Sequence, residues 1–163
     1  MTTRNLGNRL FFSLDSAEVT ADAARTAERL VALLRTYPEL TLMLEGHADE
    51  RGTRDYNLAL GQRRADSIRE YMLALGTDPA RLATVSWGKE RPTVLGANET
   101  AWSQNRRVVA LCRSEVNPKR AVNICRYIGD TPLNHDDNTG PSYVIRDGKL
   151  VAVPAKIRIG VKQ

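Results

Sequence analysis

The stretch Glu45–Met72, EGHADERGTRDYNLALGQRRADSIREYM, passes from an apolar strand pattern through a charged loop into a long amphipathic helix. Just before and into it, Leu40, Leu42 and Leu44 alternate with Thr41, Met43 and Glu45, the two-residue period of a half-buried strand. Beyond the loop, Leu60, Arg64, Ile68 and Met72 recur every fourth residue and so share one face of a helix. This pattern predicts a helix from near Asp55, whose carboxylate suits both a cap and the helix dipole, to Leu75, with Gly76 as its stop. Arg64 interrupts the apolar stripe, whereas Arg63 falls beside Asp66, Ser67 and Glu70 on the solvated side. Asn57 lies seven residues before Arg64 and faces the same way.

The same periodicities extend in both directions. Leu10–Leu14 (LFFSL) is a strand candidate closed by Asp15-Ser16, and Thr20 is a candidate cap for a helix carrying Ala24, Ala27, Leu30, Val31 and Leu34. Pro38 ends that helix. After Gly76, a turn opens at Pro79, Ala83–Trp87 is a third strand, and Gly88–Glu99 is a loop. Thr100–Gln104 makes at most one helical turn, and Arg106–Cys112 is a fourth strand. Strands alternating with helices predict an α/β sandwich of α+β type, a small mixed sheet with helices on one face. The organisation expected is a lead-in over 1–9, one domain over 10–113 and a C-terminal extension over 114–163. In the extension, Tyr143–Val153 reads as a hairpin turning at Asp147-Gly148, Lys156–Val161 as a further short strand, and the rest as a β-meander or a loosely ordered tail.

Composition narrows the function. Net charge is +5, from 24 Lys+Arg against 19 Asp+Glu, without the aromatic signature, zinc spacing or basic run of a nucleic-acid binder, so no nucleic-acid partner is expected. No run reaches the ~20 apolar residues of a membrane-spanning helix. MTTRNLGNRL has no basic segment followed by an apolar one, which leaves a cytosolic chain or a leader already removed. Cys112 and Cys125 leave a disulfide or two reduced thiols open.

Asp49 and Arg64 are the chemically demanding pair. A guanidinium at the edge of an apolar stripe needs a partner, and Asp49 in the adjoining loop is the nearest candidate. One reading is a salt bridge that pins the loop. The other is a split site in which Asp49 takes a ligand ammonium and Arg64 a ligand carboxylate, helped by free N–H groups at the helix start. His47, near Asp49, Glu45 and Glu50, suggests an acid/base pair or part of a metal site, but the only other histidine is His135 in the extension, so neither a metal nor a cofactor is expected. Asp136–Gly140 reads as a turn rather than a calcium loop, because its glycine comes one place early. No nucleophile elbow, zincin helix, Walker loop or dinucleotide fingerprint is present, and a wall hydrolase using Glu45, His47 or Glu50 ranks last.

With these residues in view, Leu10–Leu111 resembles the OmpA-like peptidoglycan-binding domain, and within it the peptidoglycan-associated lipoproteins (Pal). The resemblance rests on HADERG at His47–Gly52, Tyr56-Asn57, Gly61-x-Arg63-Arg64-Ala65, Val85-Ser86-Trp87-Gly88-Lys89-Glu90-x-Pro92 and Ser103-Gln104-Asn105-Arg106-Arg107-Val108, all in register. It implies a β-α-β-α-β fold that binds peptidoglycan without covalent bonds and without being an enzyme. It further implies that Asp49 and Arg64 hold the meso-diaminopimelate of the stem peptide. Asn57, Phe12 and Asp15 would lie beside that pocket, with Asn105 and Arg106 bordering it. TolB is an implied protein partner, and an interaction module with TolB as its main partner is the alternative function. The implied location is the periplasm beside the outer membrane, in a Tol–Pal-like system with a role in cell division. The chain departs from the pattern at Leu14, where an aromatic is usual, in lacking a lipid-attachment cysteine, so that membrane association is expected only through an anchor absent from this chain, and in its extension.

Overall fold

The computed structural model describes residues 8–114 and two further strands, 142–146 and 149–153. In chain order the elements are β1 (Arg9–Phe11), α1 (Ala21–Thr36), β2 (Thr41–His47), α2 (Arg54–Ala74), a 3-10 turn (Pro79–Arg81), β3 (Leu82–Gly88), α3 (Glu99–Asn105), β4 (Arg107–Arg113), β5 (Ser142–Arg146) and β6 (Lys149–Val153). The first four strands form one sheet in the order β1-β4-β2-β3. β4 lies antiparallel to both β1 and β2, while β2 and β3 are parallel, joined by α2 as the crossover that parallel strands require. The sheet is therefore mixed, in an α+β architecture, as the alternating patterns predict.

The core explains the packing. Leu10, Leu42, Leu44, Val108 and Ala110 from the sheet meet Leu30, Leu34, Ile68 and Met72 from α1 and α2 in one apolar cluster. Arg81 ties the 3-10 turn to this core's edge through the carbonyls of Tyr37 and Leu40. Among the described residues no helix is long and apolar enough to cross a membrane.

Element ends follow local chemistry. Thr20 Oγ1 accepts from Ala23 N and caps α1. α2 is capped by Thr53, whose Oγ1 accepts from Tyr56 N at 3.1 Å, so Asp55 sits in the first turn rather than at the cap. At the other end Thr77 N donates to Met72 O and Gly76 takes φ +102°, a Schellman stop. β1 ends at Phe11, three residues before the expected Leu14, because the Ser13 and Ser16 carbonyls turn inward to a side chain of α2 instead of continuing the ladder. α3 exceeds the single turn expected for Thr100–Gln104; Asn98 caps it by accepting from Ala101 N. Beyond the sheet, β5 and β6 pair antiparallel with Arg146 opposite Lys149, a hairpin where one is predicted. The expected strand at Lys156–Val161 and the turn at Asp136–Gly140 lie outside the described residues. Cys112 on β4 is disulfide-bonded, and Cys125 also lies outside them.

Two backbone features position the loop after β2. Gly46 and Gly61 bring β2 and α2 into direct contact, since a Cβ on Gly46 would sit 1.7 Å from the Gly61 carbonyl oxygen. A register shift between Gly46 and His47 then sets His47 opposite Gly88. The His47 ring is 2% exposed and neither ring nitrogen has a hydrogen-bond partner. Burial first, then the charges of Arg107, Arg91 and Arg9, lower its pKa to about 3, so the Glu45 carboxylate 3.7 Å away faces a neutral imidazole near pH 7.

Two outcomes follow. Gly46→Ala destabilises the domain by about 2 kcal/mol or more in urea unfolding, and a loss below about 0.5 kcal/mol would refute the close strand–helix contact. His47 is neutral when folded and protonates near 6.5 when unfolded, so unfolding takes up a proton and stability falls as pH falls from 6.5 toward 3. The slope approaches about 1.4 kcal/mol per pH unit, and His47→Gln flattens it between pH 6.5 and 5. An unchanged slope in the variant would remove His47 as its source.

Candidate functional site

Arg64 is fully buried, and each of its three guanidinium nitrogens donates to a backbone carbonyl. Nε donates to Ser16 O at 2.8 Å, Nη1 to His47 O at 2.9 Å and Nη2 to Ser13 O at 3.0 Å. The loops after β1 and β2 are thereby held to one point on α2. The Phe12 ring lies 5.4 Å from Cζ, at cation–π range. Burial, then the neighbouring Arg106 charge, lower the Arg64 pKa to about 10, which leaves it protonated at neutral pH. Arg63, one residue earlier, is exposed near the Tyr56 ring.

Asp49 is also buried, but its partner is not Arg64. Oδ1 accepts from Arg51 N at 3.0 Å and Nε at 3.1 Å, and Oδ2 accepts from Arg51 Nη2 at 2.7 Å. Arg106 Nη1 lies 3.7 Å from Oδ2. Burial alone would raise the Asp49 pKa; the Arg51 hydrogen bonds and the charges of Arg51 and Arg106 outweigh it and hold the carboxyl below its ordinary value. The salt bridge that is one of two readings of Asp49 and Arg64 is thus replaced by two separate arrangements. A residue two positions along can fold back on a carboxylate more directly than a helix residue fifteen positions away. Arg64 instead donates once from each guanidinium nitrogen to a backbone carbonyl.

Asn57, 2% exposed, donates from Nδ2 to the carbonyls of Arg51 (2.7 Å) and Thr53 (3.0 Å), which fixes the loop main chain against the helix start. Asp15, on the exposed turn after β1, takes φ 55° and accepts from the Tyr56 hydroxyl. These groups surround a cleft of about 250 Å³ lined by Leu14, Asp15, Asp49, Arg51, Gly52, Tyr56, Asn57, Leu60 and Arg64. Leu14, in the usual aromatic position, is 57% exposed at the rim.

The other expected residues do not line the cleft. Phe12 is buried beneath Arg64. Arg106 donates to Phe12 O, pairs with Glu99 at 2.8 Å and backs Asp49; the Glu99 carboxyl is held low chiefly by this hydrogen bond. Asn105 does not border the cleft: its side chain accepts from Thr93 N and Val94 N and donates to Val94 O, clamping the loop between β3 and α3. Sequence reasoning missed Arg51 and gave Tyr56 no role. Arg51 stands next but one to Asp49 within HADERG, and Tyr56 is one turn into α2, but neither spacing marks a cleft. Among the described residues no group of three His, Cys, Asp or Glu side chains is placed to hold a metal. Chemically, the cleft offers charges of both signs to a small polar ligand without a nucleophile–base pair.

A model of the OmpA family matches residues 11–106. The peptidoglycan-associated lipoprotein of Brucella melitensis biotype 1 is 49% identical over 109 residues, which cover 67% of this chain and 65% of that protein. The Agrobacterium fabrum protein of the same name is 47% identical, covering 67% and 62%. The chain therefore spans a little under two thirds of the length of these relatives. The crystal structure of the peptidoglycan-associated lipoprotein from Burkholderia pseudomallei superposes with a TM-score of 0.63 at 37% identity, covering 65% of this chain and 90% of that one. The C-terminal domain of Helicobacter pylori MotB, at 17% identity and a TM-score of 0.62, shares the fold. With the four-stranded sheet, the three helices and the family model all falling on one segment, the chain belongs to the OmpA family.

Proposed function

We propose that this chain is a non-enzymatic module that binds peptidoglycan through the meso-diaminopimelate of the stem peptide and tethers an envelope surface to the wall. The observation that carries this reading is the cleft itself, which sets a buried carboxylate, Asp49, and a buried guanidinium, Arg64, at the floor of one small space. The free end of diaminopimelate bears one ammonium and one carboxylate. The ammonium goes to Asp49. The carboxylate goes to the two Arg64 N–H groups left over from its three carbonyl bonds, one on each Nη, once the exposed Leu14–Asp15 rim yields. Asn57 holds the loop in place, and Phe12 and Arg106 support Arg64 and Asp49 from behind.

Names of relatives support the same reading: those just described are peptidoglycan-associated lipoproteins. A periplasmic location beside the outer membrane and a TolB-like protein partner belong to this proposal as its secondary parts. One site of this kind binds weakly, and repetition along the polymer supplies avidity.

Co-sedimentation with purified diaminopimelate-type sacculi tests the reading. Asp49→Asn and Arg64→Lys each lower affinity about tenfold or more, while Arg63→Ala stays within about twofold. Thermal melts of each variant report folding separately, which matters because Arg64→Ala would strand three carbonyls. Equal binding by a folded Asp49→Asn would contradict the proposal, and release of muropeptides during the assay would point to hydrolysis. Binding of purified TolB in the absence of wall material would support the protein partner.

A further inference from the structure

We infer that Arg51 is a resident counter-cation on Asp49 which the ligand must displace, and that this exchange selects zwitterionic over purely cationic head groups. The inference rests on the diaminopimelate reading above and adds a residue that sets its specificity.

Arg51 covers the groups that an incoming ammonium needs. Its Nε and Nη2 occupy one position on each Asp49 oxygen, its own N–H takes another on Oδ1, and Arg106 stands near Oδ2. A carboxylate offers about four such positions in all, so an ammonium gains full contact only when the Arg51 side chain leaves. Leaving is a local event. Asn57 holds the Arg51 carbonyl at 2.7 Å and Asp49 keeps the Arg51 N–H, so the main chain stays put while the side chain swings. That side chain is 35% exposed at the cleft wall, in contrast to fully buried Arg64.

The guanidinium already stacks on Trp102 while it is paired with Asp49: its Cζ lies 3.8 Å from the ring centroid, and Trp102 is itself oriented by an Nε1 bond to Glu50 at 3.0 Å, so Arg51 can slide along the ring face as it leaves the carboxylate. Off Asp49, Arg51 is left with two unsatisfied donors and a charge that has lost its counter-ion. A ligand carboxylate beside the ammonium satisfies it, because its two oxygens accept up to four bonds and serve Arg51 and Arg64 together. A head group with an ammonium alone breaks the Asp49–Arg51 pair and returns nothing to Arg51. The exchange therefore favours a diaminopimelyl end over a lysyl end, which differ by that one carboxylate.

The experiment compares muramyl tripeptides ending in meso-diaminopimelate or in lysine, by calorimetry, on the full chain and on Arg51→Met and Asp49→Asn. Arg51→Met keeps the backbone N–H and Arg106 on Asp49, so the carboxylate remains charged. The lysine peptide gains affinity for Arg51→Met, and the preference for diaminopimelate narrows about threefold or more. In a Trp87→Phe background, the diaminopimelate peptide changes Trp102 emission in the otherwise native chain and not in Arg51→Met, a signature that mere support of the loop would not produce. If Arg51→Met leaves the preference unchanged or wider, including a lysine peptide that stays unbound, the exchange is wrong. Loss of both peptides by Asp49→Asn in that case keeps the diaminopimelate reading standing. Undiminished binding by Asp49→Asn would overturn that reading, and the exchange with it.

Discussion

Three backbone carbonyls, those of Ser13, Ser16 and His47, converge on the guanidinium of Arg64, and the site depends on this one convergence. A charge with no exposed surface is expensive, and the lowered Arg64 pKa is the mark of that cost. Carbonyl dipoles at bonding distance offset it, and the Asp49 and Asp15 charges help from farther off. Because the donors are in a rigid planar fork, the two loops they bind are fixed relative to α2 and to each other. The turn after β1 and the loop after β2 become opposite walls of one cleft. A lysine could not span the same three acceptors in that plane.

Around this frame the other charges are layered. Arg106 reaches from the start of β4 to Phe12 O, Glu99 and the neighbourhood of Asp49, so it joins both loops from behind. Asp49 is kept ionised by cations on two sides, and Asn57 anchors the main chain that carries Arg51. The result is a buried polar network in which the support is made of backbone bonds and the ionic contacts face the cleft. The Asp49–Arg51 ion pair lies at the cleft with the Arg51 side chain 35% exposed, whereas the main-chain bonds to Arg64 lie beneath it on a fully buried guanidinium.

Much of this was legible in the chain. The fourfold recurrence of Leu60, Arg64, Ile68 and Met72 separated the buried arginine from Arg63, since helical phase is a geometric consequence of spacing. Thr20, Gly76 and the paired strands about Asp147-Gly148 were readable because caps and turns use few residue types. The partners of Arg64 were not readable, because every residue carries a carbonyl and none announces which way it will turn. Asp49 and Arg51 stand two apart in one charged loop, and only the backbone path shows them bonded. Asn105, which the resemblance leads one to expect at the site's border, closes a different loop with its side chain. Gly46 and Gly61 gave no sign from spacing that they would touch, because that contact needs a register shift and a crossover helix together.

A crystal structure of the chain with a diaminopimelate-bearing muropeptide tests the central claim most directly. The account predicts the ligand ammonium within hydrogen-bond distance of the Asp49 carboxylate, with Arg64 still bound to its three carbonyls and the Arg51 guanidinium off Asp49 while it keeps its stack on Trp102. A ligand seated away from Asp49, with the Asp49–Arg51 pair intact, would contradict it.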